Sequence, residues 1–140
     1  MFEECIYFNG NALARSITRL WTEAYKEYDL SPPHAFLLRV VLAKPGLLPR
    51  ELAHELKLSR STITRFLDSL EKRGLLIRQT VETDKRELKV FPTKKSLEIH
   101  KKLDNTGKNL SSKMADIVGN KELTELLTKL RKIQKTIEKL

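Results

Sequence analysis

Cysteine is almost missing from this 140-residue sequence; Cys5 stands alone, so no intrachain disulfide can form. The three histidines, His34, His54 and His100, are far apart and in no metal-ligand spacing, so no metal site is expected. Glycine is scarce, at five residues, and no Gly-rich loop is present to cradle a phosphate. No nucleophile is paired with a base. Catalysis has little to stand on, and a non-enzymatic protein without a cofactor is expected. Long apolar runs are missing too, since none approaches the roughly 18–20 residues that cross a bilayer. The opening stretch "MFEECIYFNG" has acids where a signal peptide carries positive charge, so a cytoplasmic location and no membrane partner are expected.

What the sequence has is positive charge. Lys and Arg number 27 against 18 Asp and Glu, for a net charge of +9 and a pI near 9.7. That balance favours an anionic partner such as nucleic acid or a membrane surface, and says nothing about fold. Hydrophobic residues make up 40%, enough for a packed core in one domain with extensions.

Apolar residues at Ile6, Leu13, Ile17, Leu20, Trp21 and Tyr25 predict a long helix over Phe2 to Tyr28. A second helix begins with Ser31 as cap and Pro32 in its first position, and Pro45-Gly46 stops it. "PRELAHEL" is a short helix from Pro49, and the turn "KLS" leads to another that Ser59 caps and Gly74 ends. "LLIRQT" and "ELKVF", joined by "VETDK", change the period from helix to strand and read as a hairpin closed by Pro92. Thr93 caps a lysine-rich helix to about Val118, and Gly119-Asn120 breaks it. The final helix carries a seam of Leu123, Leu126, Leu130, Ile133, Ile137 and Leu140 at spacings of three and four. The fold class expected is mainly α with a small β wing.

The helix in "LSRSTITRFLDSLEKRGLL" turns Ile63, Phe66, Leu67 and Leu70 inward and Ser61, Arg65, Asp68 and Lys72 outward. Ser59, Arg60, Ser61, Thr62, Thr64 and Arg65 gather small hydroxyls and arginines at its start. Small residues there allow close approach to base edges, and an arginine reaches a guanine bidentately. A charged outer face can equally be a solvated one, and Asp68 and Glu71 argue for that. The hairpin, with Lys85 and Arg86 near its tip, adds a second element suited to a narrow minor groove.

From "LSPPHAFLLRVVLAKPGLLPRELAHELKLSRSTITRFLDSLEKRGLLIRQTVETDKRELKVFPTKKS" the chain resembles the multiple antibiotic resistance regulator (MarR) family of transcription regulators. The likeness rests on "ELA", "LSRSTITR", "LEKRGL" and the Asp84-Lys85-Arg86 run in register, while the terminal helices match more loosely. It implies a winged helix-turn-helix lobe, 31–92, flanked by dimerisation helices in 1–30 and 93–140 of one continuous domain. The implied function is sequence-specific double-stranded-DNA binding by a homodimer on a pseudo-palindromic operator, as a repressor. Residues 60–65 would enter the major groove and Arg86 the minor groove, with Asp84 orienting Arg86. Leu48 and Lys57 depart from the family pattern, where a hydroxyl cap and a glycine are common.

The resemblance also implies two routes of release. A small aromatic effector would sit in a cleft bordered by Tyr7, Asn11, Arg15, His34 and Phe36, with Arg15 or His34 meeting a carboxylate. Cys5 lies where some relatives sense oxidants, although Glu3 and Glu4 beside it oppose a thiolate, and a small apolar interface residue is the plainer reading. A winged-helix protein-interaction module and a Cys5-based redox switch stay open as alternatives. Arg73 suits the dipole of the helix it ends and a brace on the wing. Lys94, Lys95, Lys101 and Lys102 read as a solvated face.

Overall fold

The computed structural model describes residues 1–81 and 84–140, and side chains other than those of 81–86. The first helix, α1, spans Ile6–Tyr25, shorter at both ends than its apolar pattern predicts. At its start Phe2 to Cys5 form a turn, because the Asn9 side-chain amide donates to the carbonyls of Phe2, Glu3 and Cys5. At its end Lys26–Tyr28 tighten into a 3₁₀ turn, and Asp29 takes a left-handed conformation at φ 53°. Helix α2 covers Pro32–Ala43, with the Ser31 hydroxyl accepting from the His34 N–H.

Helices α3, Pro49–Leu56, and α4, Arg60–Lys72, form the helix-turn-helix pair. Leu48 has no hydroxyl, so α3 is capped from the other side: the Glu51 carboxylate accepts the Leu48 N–H at 2.9 Å. Lys57 adopts the left-handed conformation that a glycine would take, at φ 55° and ψ 44°. The Leu58 N–H bonding back to the Ala53 carbonyl at 3.0 Å holds the turn closed around it. A side chain at this φ is strained, so Lys57→Gly should raise stability by about 1 kcal/mol, less the entropy glycine adds to the unfolded chain. A thermal melt would show a midpoint higher by a few degrees.

Gly74, at φ 72°, ends α4, and the Leu75 N–H returns to the Leu70 carbonyl at 2.9 Å. Strands β1, Leu76–Val81, and β2, Asp84–Pro92, pair antiparallel from Leu76 opposite Pro92 to Thr80 opposite Leu88. Both reach further toward the hairpin end than the alternation suggested, with β2 starting at Asp84. Leu47 adds a bridge to Val90 on the outer side of β2, a pairing a single residue cannot announce.

The chain falls into two compact units, Met1–Asp104 and Asn105–Leu140, divided inside helix α5, Lys94–Val118. The core belongs to the first: Leu37, Leu38 and Val41 from α2, Leu52 and Ala53 from α3, Ile63, Leu67 and Leu70 from α4, and Leu76 and Val90 from the sheet are buried. Leu103 of α5 and Tyr25 of α1 are buried with no exposure at all. The reciprocal bonds between Thr93 and Ser96 cap α5, since each accepts the other's N–H on its hydroxyl.

The second unit is built from the rest of α5 and from α6, Asn120–Ile137, after Gly119 at φ 100°. No residue of α6 is buried, and Leu126, Leu127, Leu130, Ile133 and Ile137 are exposed. In α1 only Tyr25 is buried, while Ile6, Tyr7, Phe8, Leu13 and Leu20 are exposed. Two long amphipathic helices thus present apolar faces that the chain itself leaves uncovered. Among the described residues, no helix is long and apolar enough to cross a membrane.

Candidate nucleic-acid interface

Helix α4 is oriented by its inner face. Ile63, Leu67 and Leu70 are wholly buried, and Phe66 is half-buried with its ring 4.3 Å from that of His34. With that face fixed, Ser59, Arg60, Ser61, Thr64 and Arg65 are exposed and Thr62 is half-buried, so the six α4 residues singled out by sequence share one end of the helix.

Their hydroxyls are organised. The Ser59 hydroxyl accepts the Thr62 N–H at 3.2 Å, donates to the Thr62 hydroxyl at 2.8 Å and lies 3.2 Å from that of Ser61. The Thr64 hydroxyl donates back to the Arg60 carbonyl at 2.9 Å, which leaves its lone pairs outward. Arg65 reaches the Thr62 hydroxyl only at 3.5 Å, a loose contact that a stronger acceptor would displace. Free N–H groups of the first turn add positive potential at the same end. The end of α4 is therefore an exposed, cationic, hydroxyl-bearing surface with donors fit for phosphates and base edges.

The acids further along do not stand alone. Arg78 of β1 donates from Nη2 to Asp68 and from Nε to Glu71, each at 2.6 Å. Arg50 of α3 pairs with Glu87 of β2. Sequence reasoning missed both pairs, although a cation on β1 facing two acids three apart on α4 is a charge pattern the sequence does contain. The side chains of Asp84, Lys85 and Arg86 lie outside the described residues.

Among the described residues, Arg73 bonds to the turn after α1 and not to the wing. Its guanidinium donates to the carbonyls of Tyr28 and Asp29, tying the end of α4 to the turn after α1. The carbonyls at that end are taken up by α5: Lys95 donates to Arg73 at 2.8 Å and the Thr93 hydroxyl to Gly74 at 2.6 Å. Lys94, Lys95, Lys101 and Lys102 are all exposed, as a solvated face requires, and two of them also bond: Lys95 caps α4, and Lys102 pairs with Glu27 at 3.0 Å.

The residues proposed to border an effector cleft are not gathered in one place. Tyr7, Asn11 and Arg15 lie exposed at successive turns of α1, with Asn11 bonded to the Tyr7 carbonyl. Phe36, edge-on to Tyr25 at 6.4 Å, borders an apolar cleft of about 270 Å³ with Thr18, Pro32, Pro33, Leu56 and Leu58. His34 faces the other way, bonded through Nδ1 to the Ser31 hydroxyl and with its ring tilted against that of Phe66. Cys5 is exposed at the residue before α1.

Burial, with the Arg73 charge nearby, holds the His34 imidazole below its ordinary 6.5. The folded state thus favours the neutral ring, and stability is full above that value and falls as pH drops below it. Thermal midpoints should be lower near pH 5.5 than near pH 7.5, and His34→Gln should narrow that gap.

A sequence profile described as MarR family matches residues 28–87, the stretch from the turn before α2 into the start of β2. Over 132 residues the chain is 27% identical to the HTH-type transcriptional regulator MgrA of Staphylococcus aureus, covering 94% of this chain and 88% of that one. It superposes on a MarR protein from Peptoclostridium difficile with a TM-score of 0.84 at 25% identity, covering 98% of this chain and 90% of that one. The chain is thus similar to MarR-family regulators over nearly its whole length, and matches the family's profile over residues 28–87. The fold recurs in a mutant MarR from Escherichia coli solved with operator DNA, at a TM-score of 0.84 and 22% identity, covering 95% of this chain and 97% of that one. In MarR terms, α3 and α4 are the helix-turn-helix and β1 and β2 the wing.

Proposed function

We propose that this protein is a MarR-type homodimeric transcription regulator that binds double-stranded DNA sequence-specifically, as a repressor on a pseudo-palindromic operator. The observation that carries the reading is the start of α4, where Arg60, Ser61, Thr64 and Arg65 project from a helix whose inner face is locked into the core. Cationic and hydroxyl donors fixed on a rigid helix suit a major groove. The net charge of +9 favours the same partner. Residues 31–92 act as the DNA lobe, and 1–30 with 93–140 as the dimer layer, in which a second copy covers the exposed apolar faces of α1 and α6.

The effector reading is a small aromatic molecule in the cleft beside Phe36. That cleft is lined by apolar residues and one threonine, which supports an aromatic ring there more than a carboxylate. Release by ligand would follow if the occupied cleft favours a spacing of the two α4 helices that no longer matches the half-sites.

Fluorescence anisotropy tests the reading, with DNA upstream of the protein's own gene set against a scrambled duplex across a salt series. The expected result is log K falling with log salt by about 0.9 per phosphate contacted, and a preference of about 10³ or more for the native duplex. Absence of binding to either duplex at low salt would overturn the reading and point to a protein partner.

A further inference from the structure

The outer stripe of α4 carries a contradiction that its own residues do not resolve. Ser61, Arg65, Asp68 and Lys72 follow one another along it, so Asp68 stands one turn beyond Arg65 on the side that would face DNA. Glu71, three residues on, is a like-charged neighbour on the same flank. Against phosphate, two carboxylates would repel, and α4 has only Arg60, Arg65 and Lys72 to set against them.

The structure supplies the missing cation from another element. Arg78, opposite Val90 in the sheet register, turns its guanidinium onto α4 and uses two separate nitrogens for two separate acids, both at 2.6 Å. Its side chain is 22% exposed while that of Asp68 is 60% exposed, so the mask sits beneath the acid rather than over it. Charge-assisted bonds of this kind are the strong ones, and the rigid fork of arginine aims a separate N–H at each of the two acceptors. The bonds also fix β1 against the third and fourth turns of α4, and so set the wing's root relative to the recognition helix.

We infer that Arg78 is a positioning and charge-masking residue for DNA binding: by pairing with Asp68 and Glu71 it turns a phosphate-repelling flank of α4 into one that tolerates DNA. It acts through the two acids and not by contacting DNA itself. The inference rests on the DNA-binding reading above, and the test separates the two.

The test uses a labelled random-sequence duplex of about 30 base pairs, enough for two half-sites a turn apart, at low salt where non-specific binding is strongest. Arg78→Gln should bind about tenfold more weakly than wild type, since unmasked acids add repulsion that salt then screens. The triple variant Arg78→Gln, Asp68→Asn, Glu71→Gln should return to wild-type affinity or above. A direct Arg78–phosphate contact predicts the opposite, a triple variant as weak as Arg78→Gln, and that result overturns the inference, as does an Arg78→Gln protein that binds like wild type. If Arg78→Gln does not fold by circular dichroism, Asp68→Asn with Glu71→Gln in the native Arg78 background decides. It should bind several-fold more tightly than wild type, and equal or weaker binding overturns the inference. Wild-type protein that binds no duplex at low salt fails the DNA reading itself.

Discussion

Leu130→Glu combined with Ile133→Glu is expected to leave the protein monomeric and to weaken its binding to an operator by about 10²–10³-fold. Both residues are exposed in the single chain, at 46% and 40%, so the substitutions leave the buried core intact. Only a second copy covering that face would be affected. Four carboxylates brought together at a two-fold interface repel one another and must be desolvated, which is enough to dissociate it. The loss in affinity comes from effective concentration: two linked lobes bind the second half-site as an intramolecular event, and unlinked lobes do not. The slope of log K against log salt should fall to roughly half, because one lobe contacts half the phosphates. Sedimentation measures the first effect and anisotropy the second. A variant that stays dimeric, or a monomer with undiminished operator affinity, would count against α6 as the dimer face.

Elements with a strong local signature were legible in the sequence. Pro32 after Ser31, Pro49 after Leu48, Ser59 before α4 and Gly74 after it each mark a boundary by one residue's chemistry, and the structure places helix ends there. The inward face of α4 was legible for the same reason, since period and burial agree at Ile63, Leu67 and Leu70. Lys57 shows the limit of residue preference. Lysine disfavours a left-handed backbone, yet Lys57 sits at φ 55° in the turn between α3 and α4, which the Leu58 N–H closes onto the Ala53 carbonyl.

What was not legible are bonds between residues brought together only by the fold. Arg73 reaches back to Tyr28 and Asp29, more than forty positions earlier, and Lys95 caps a helix that ended some twenty positions before it. Arg78 pairs with acids on a different element. A linear pattern shows each of these as a surface cation. The effector cleft suffered similarly: His34 and Phe36 are two apart on α2 and so point to opposite sides, a separation that helical spacing implies and that the family resemblance obscured.

Arg65→Ala carries the other large expectation, a loss of discrimination at one base pair of each half-site. Arg65 is exposed on the outer stripe of α4, and among the described residues its guanidinium is held only by a 3.5 Å contact to the Thr62 hydroxyl. It therefore gives up little on turning to a guanine, whose O6 and N7 match the guanidinium fork. Removing it should cost about 1–3 kcal/mol against the preferred base and nearly nothing against the others, so the preference at that position flattens while the rest of the site is read as before. Affinity for random DNA should fall far less, and the salt slope by at most one phosphate contact. Competition among operator duplexes substituted one base pair at a time measures this directly. Equal losses on every duplex would make Arg65 a phosphate contact, and base reading would pass to Arg60, Ser61 and Thr64 at the start of the same helix.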